Sequence, residues 1–104
     1  MTTPELLADV KKRLTAAFGK RLKGVVLYGS EARGDSAQDS DIDILVLLDE
    51  PIRLGADLQT IIEALYPLQL QVFRPLHAMP VGLHEYEAGE FSLYRQAKKE
   101  GIPA

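Results

Sequence analysis

Cysteine is absent from the 104 residues. That excludes disulfides, thiolate chemistry and cysteine metal sites, and it fits a reducing cytoplasm. No apolar run approaches the roughly 18 residues of a membrane span, and the N-terminal MTTPELLADVKKRL lacks the long apolar core of a signal peptide. A cytoplasmic chain without membrane attachment is the expectation. A basic excess is missing too. The formal charge of −3 argues against coating of nucleic acid, which requires a basic face, but it does not exclude a small anion whose charge arrives with a metal. Internal repeats, low-complexity tracts and linkers are also lacking, so residues 1–104 are expected to form one domain. That length suffices for a single core burying somewhat over 60% of the unfolded surface. His77 and His84 have no partner at metal-site spacing such as HxxxH and read as polar surface.

What is present organises itself by periodicity. Thr3-Pro4-Glu5 reads as a helix start, with Thr3 as N-cap and Pro4 at the first helical position. Leu7, Val10, Leu14 and Phe18 then recur at helical spacing. Lys11, Lys12, Arg13, Lys20, Arg21 and Lys23 load the far end with positive charge, as a solvated face or, for some of them, as a means of steering an anion. Residues 25–28 form the first expected strand. Residues 42–48 form the second, hydrophobic on both faces beyond two acids and therefore central in a sheet. A helix over about 54–66, with Leu58, Ile61, Ile62 and Leu65 on its apolar face and Pro67 as its stop, leads to a third strand at about 68–75. The last third is polar and helical, with Tyr86, Phe91, Leu93 and Tyr94 covering the core. The order αβαβαβα implies an α/β (α+β) fold, a small mixed sheet with helices packed mainly on one side.

The chemistry is concentrated in VVLYGSEARGDSAQDSDIDILVLL. An apolar strand delivers the turn Gly29-Ser30, and ten residues later a second strand begins with Asp41-Ile42-Asp43. Two carboxylates at i and i+2 of an extended strand project from one face, roughly 6.6 Å apart along the backbone. They can converge on one divalent cation or share a pair, while a Gly-Ser turn offers backbone N–H groups and a hydroxyl to phosphate. A phosphate cradle beside metal carboxylates is the apparatus of phosphoryl and nucleotidyl transfer.

These residues resemble the minimal nucleotidyltransferase family of the DNA polymerase β nucleotidyltransferase superfamily. Gly29-Ser30-Glu31-Ala32-Arg33-Gly34 matches its GSxARG turn, and Ser40-Asp41-Ile42-Asp43-Ile44-Leu45-Val46 its Asp-x-Asp strand. The resemblance extends to the ending FSLYRQAKKEGIPA, similar to the family's last helix and closing Glu-Gly turn. It implies a polymerase β-like fold in which Gly29 and Ser30 hold a triphosphate and Ser40 belongs to the nucleotide site. Asp41 and Asp43 would bind Mg²⁺ (or Mn²⁺) and, through it, ATP, while Arg33 fixes the loop or meets phosphate. Family members usually carry a third carboxylate on the next core strand. Here the expected third strand offers Gln69 and Gln71, with Gln71 at that position, and an amide is a weak ligand for a hard cation and no base near neutral pH. Glu31, Asp35 and Asp39 are the loop acids from which a substitute could come. The resemblance further implies transfer of AMP to a hydroxyl acceptor, a helical HEPN ribonuclease toxin as partner, and an antitoxin role. The alternative is a module that kept the fold, lost turnover and acts by binding a partner. Homo-oligomer formation is compatible with either.

Overall fold

A computed structural model describes residues 1–35, 37 and 39–104. Helix α1 spans Thr3–Phe18. Its N-cap is Thr2, one residue before the expected Thr3: the Thr2 hydroxyl accepts from the Glu5 amide at 3.2 Å, and the Glu5 carboxylate accepts from the Thr2 amide at 2.9 Å. This reciprocal capping box satisfies two amides that would otherwise lack acceptors. After a short 3₁₀ turn, strand β1 (Leu22–Tyr28) runs antiparallel to β2 (Ile42–Leu48), and the four-residue helix α2 (Ser30–Arg33) opens the connection between them.

Helix α3 covers Leu54–Gln69 and carries β2 over to the parallel strand β3, Leu76–Gly82. Helices α4 (Leu83–Ala88) and α5 (Ser92–Glu100) follow, and the two-residue strand β4, Ile102–Pro103, adds to the free edge of β1. The sheet order is β3-β2-β1-β4, a mixed sheet with β1 and β2 in the middle. Strand alternation divides the core. Val25, Leu27, Ile42, Ile44, Val46 and Leu48 face the two long helices, where Leu7, Val10, Leu14, Ile61 and Leu65 pack on them. Val26, Leu45, Leu47 and Val81 face the shorter α4 and α5 through Tyr86, Tyr94 and Ala97. Of the residues expected to cover the core, Tyr86 and Tyr94 are buried, whereas Phe91 and Leu93 are exposed.

The third strand departs from expectation. Residues 68–69 are still helical, and α3 runs through Pro67 rather than stopping at it. Leu68 is fully buried on the same stripe as Ile61 and Leu65, so burial at helical spacing outweighs the local preference that LQLQVF shows for an alternating strand. Leu70 and Gln71 form the turn after the helix, and Gln71 is exposed there. Gln69 ties this connection together: its side-chain amide donates to the Val72 and Arg74 carbonyls at 3.3 and 3.1 Å, and its carbonyl accepts from the Leu76 amide at 2.7 Å. Neither glutamine stands on the core strand.

Two ionic anchors hold the periphery. Arg21 grips the buried Asp57 of α3 through both Nη atoms, at 2.8 and 3.0 Å, and also donates to the carbonyls of Asp49 and Pro51. The hydrogen bonds from Arg21 hold the Asp57 carboxyl below its ordinary value. The Glu50 carboxylate accepts from the amides of His84 and Glu85 at the start of α4. Among the described residues, no helix is long and apolar enough to cross a membrane.

Candidate functional site

The end of β1 and the start of β2 meet at one end of the sheet, on its two middle strands. Gly29 links β1 to α2 with φ +77° and ψ −155°, a region essentially reserved for glycine. A Cβ at this position would lie 2.7 Å from the Asp43 carboxylate oxygen. Gly29 is therefore required twice, for its backbone geometry and for the approach of Asp43. Ser30 follows as the first residue of α2, in the turn whose leading amides have no intrahelical acceptor.

Asp41 is exposed and directly precedes β2, while Asp43 lies within it and is partly sheltered. The alternation of β2 places both on the face shared with Leu45 and Leu47. Register then sets a row across three strands, Tyr28 of β1, Asp43 of β2 and His77 of β3. His77 Nδ1 stands 3.2 Å from Asp43 Oδ1. The Tyr28 hydroxyl donates to Met79 Sδ at 3.9 Å. Burial, and then the negative charge of Asp43, push its pKa up, so it is a neutral hydroxyl at physiological pH.

The expected position of a third carboxylate, beside Asp43 on the next strand, is thus occupied by His77, and the assignment to Gln71 is corrected by the true place of β3. The sequence reads His77 as polar surface because it has no partner at metal-site spacing, and the third strand is expected at about 68–75, before it. Pro80 is tolerated because β3 is an edge strand.

Arg33 does not point freely into the site. Its Nε lies 3.4 Å from Asp35 and its Nη1 3.7 Å from Glu100 of α5. It lines a cavity of about 220 Å³ with Tyr28, Gly29, Leu93, Gln96, Ala97 and Glu100. The Ser40 hydroxyl donates to the Ala37 carbonyl at 2.9 Å and accepts from Arg74 at 3.1 Å. Arg74 also donates to the Ser40 carbonyl at 2.8 Å and pairs with Glu31 at 2.5 Å, while Glu31 accepts from the Thr3 hydroxyl at 2.9 Å. Arg74 therefore clamps both ends of the loop between Gly29-Ser30 and Asp41. No motif spacing revealed this residue, because its partners lie 34 and 43 positions away.

Among the described residues, no three His, Asp or Glu side chains are gathered closely enough to hold a metal ion unaided. Two carboxylates on one strand face nevertheless fit a hard dication, which commonly takes one or two protein carboxylates and completes its shell with substrate phosphates and water. A glycine turn packs against this pair at the end of the two middle strands of a mixed sheet. The chain belongs to the nucleotidyltransferase domain family, whose sequence pattern matches residues 7–103.

Curated relatives agree. Two proteins of Methanocaldococcus jannaschii, provisionally named protein adenylyltransferases, are 39% identical over 46 residues and 35% identical over 60. The first match covers 44% of this chain and 46% of the relative, and the second 58% and 60%. The chain thus spans about half the length of these relatives. Among solved structures, a provisionally assigned nucleotidyltransferase from Sulfolobus solfataricus aligns with a TM-score of 0.61 at 18% identity, over 96% of this chain and 79% of that one. A toxin-antitoxin solved with AMP-PNP aligns with a TM-score of 0.60 at 20% identity, over 91% of this chain and 69% of that one. These two likenesses establish the shared fold.

Proposed function

We propose that this chain is a metal-dependent adenylyltransferase that moves AMP from ATP onto a hydroxyl of a partner protein. The observation that carries this reading is the packing of Gly29 against Asp43, with Asp41 two residues before it on the same strand face. The relatives' name, protein adenylyltransferase, supports both the transferred group and a protein acceptor. The structural likeness to a toxin-antitoxin supports an antitoxin role, with a HEPN-type toxin as the partner implied by family resemblance.

In this mechanism the Gly29-Ser30 turn receives the phosphates, since only a glycine there leaves room for both the turn and the Asp43 carboxylate. Asp41 and Asp43 hold Mg²⁺ or Mn²⁺. When bound, that ion neutralises charge on the departing pyrophosphate. Arg74 fixes the loop so that turn and carboxylates face one another. The acceptor hydroxyl has to be presented by the partner. Alignment of that oxygen with the leaving group is then the main contribution of the complex.

Calorimetric titration of ATP, with Mg²⁺ and with chelator, tests this on the wild type and on a variant combining Asp41→Asn with Asp43→Asn. Metal-dependent binding is expected in the wild type and at least about a hundredfold loss in the variant, since each carboxylate removed takes a charged ligand with it. Equal binding by the two proteins would refute the site.

A second reading is favoured by one observation, the absence of a carboxylate beside Asp43 on β3. On that reading the chain binds nucleotide and a partner without turnover. Retained ATP binding with no AMP transfer to the purified partner would establish it.

A further inference from the structure

Helix α3 carries two apolar rows. One, with Ile61, Leu65 and Leu68, is buried in the core. The second, Ile62, Tyr66 and Leu70, recurs every four residues, so its side chains are neighbours along one flank of the helix. Leu70 caps α3 in right-handed helical geometry and so continues the row past the last helical residue. These three residues are 52%, 58% and 70% exposed, and Phe73 just beyond them is 89% exposed. The carbonyls on either side of Phe73, those of Val72 and Arg74, are both held by the Gln69 amide, which ties Phe73 to the end of the same row.

Ile62 and Tyr66 line an open groove with Leu76 and Ala78 of the edge strand β3. Its volume is about 110 Å³, below the roughly 300–1,000 Å³ of small-molecule sites. The groove therefore suits a protein surface better than a metabolite. An added strand would find few donors on this edge. The Ile42 amide donates to the Pro75 carbonyl, which turns the backbone of Leu76, Ala78 and Pro80 away from β2. Of these, the Leu76 amide is taken by Gln69 and Pro80 has none. Docking here is through side chains.

Charge and area indicate what docks. Residues 54–73 contain no Lys, Arg or His and only two acids. Asp57 is held by Arg21, and Glu63 accepts from the Gln59 amide. A two-fold contact sets a surface against its own copy, so any charge on it meets its like. In a chain of formal charge −3, this nearly uncharged flank is suited to self-contact. A charged partner would instead call for complementary charges around the row. The four exposed side chains present on the order of 500 Å², taking about 150–250 Å² for a whole aromatic. A stable interface buries about 800 Å² per partner, roughly 65% of it apolar in homodimers, which is the area this row supplies.

We propose that the flank of α3 formed by Ile62, Tyr66 and Leu70, with Phe73, is a homodimer interface that takes the same row of a second copy of this chain. Leu76 and Ala78 lie on the side of the sheet covered by the long helices, whereas Asp43 lies on the other. The contact therefore leaves the nucleotide site open and stands whether or not that site binds ATP.

Sedimentation equilibrium of the full chain from about 1 μM to about 1 mM tests this. The proteins are the wild type, Ile62→Lys, Tyr66→Lys, Phe73→Ala and, as a control on the other helix layer, Phe91→Lys. Expected is a wild-type dimer of about 23 kDa, twice the 11.5 kDa chain. Either lysine variant is expected to associate at least about thirtyfold more weakly, the effect of losing one interface hot spot, while Phe91→Lys associates like the wild type. Circular dichroism verifies folding. Phe73→Ala truncates a side chain that is 89% exposed, so it keeps the fold and weakens association in the same direction even where a lysine variant misfolds. Dimers that persist undiminished in the three α3-flank variants overturn the proposal, since another face then holds them. A wild type that stays monomeric throughout also overturns it and leaves the row to a different protein.

Discussion

At the scale of single residues the proposed site turns on contacts tight enough to forbid substitution. Gly29 is the sharpest case. An L-residue in its conformation costs of order 1–3 kcal/mol, and a Cβ would displace the Asp43 carboxylate, 2.7 Å away. Gly29→Ala is therefore expected to lower stability by that amount and, separately, to weaken metal-dependent ATP binding more than the stability loss explains. Chemical denaturation and calorimetry on the same preparation check the two parts. Unchanged nucleotide affinity in a folded Gly29→Ala protein would show that the turn does not serve the ligand. The motif residues Gly29, Asp41 and Asp43 were legible in the sequence through their spacing between two apolar strands, which the antiparallel pairing of β1 with β2 brings to one end of the sheet. Arg74 and His77 were not, because each acts through partners far along the chain.

At the scale of elements, α3 shows how tertiary contacts override local signals. LQLQVF alternates like a strand, and Pro67 looks like a stop, yet the helix persists to Gln69 because Leu68 completes its buried stripe. The start of the same helix depends on Asp57, which accepts from the Arg53 amide at 2.9 Å and from Arg21. Asp57→Asn is expected to cost about 2 kcal/mol, the range for hydrogen bonds to a charged group, reduced by the partial exposure of Arg21. The sign of its pH dependence follows from a folded pKa held below the unfolded one. The contribution of Asp57 is complete above the unfolded carboxylate value of about 3.9 and is lost as pH falls through the lower folded value. The stability gap between wild type and Asp57→Asn should thus be constant near neutrality and close below about pH 4. Urea unfolding at several pH values measures it, and a gap that widens in acid would contradict the assignment.

Across the whole molecule, the site face is backed by α5 and β4, which the chain adds last. Gly101 turns between them, and a Cβ there would meet the Ala97 carbonyl oxygen and lie 2.7 Å from Val26 Cγ1. Gly101→Ala is expected to loosen β4 from β1 and α5 from the sheet. At about 1–2 kcal/mol lost, this corresponds to a drop in Tm of roughly 4–16 °C for a chain of this size. Thermal unfolding checks it, and an unchanged Tm would mean that this corner contributes little. Such long-range closure was not visible in a linear reading, which ended the domain on a helix and missed β4 entirely. By itself the sequence determined the fold class, the central strand β2, the amphipathic α1 and the juxtaposition of Gly29 with the Asp pair. The elements follow from runs of strict period, which local physics reads, and the meeting of Gly29 with Asp43 was legible as a motif spacing although the antiparallel pairing of β1 with β2 carries it out. Only the tertiary structure decided which residue stands beside Asp43, because that depends on where β3 begins and in which register it joins β2. Burial of Leu68, the bonds of Gln69 and the tolerance of an edge strand for Pro80 act together to choose His77 over Gln71.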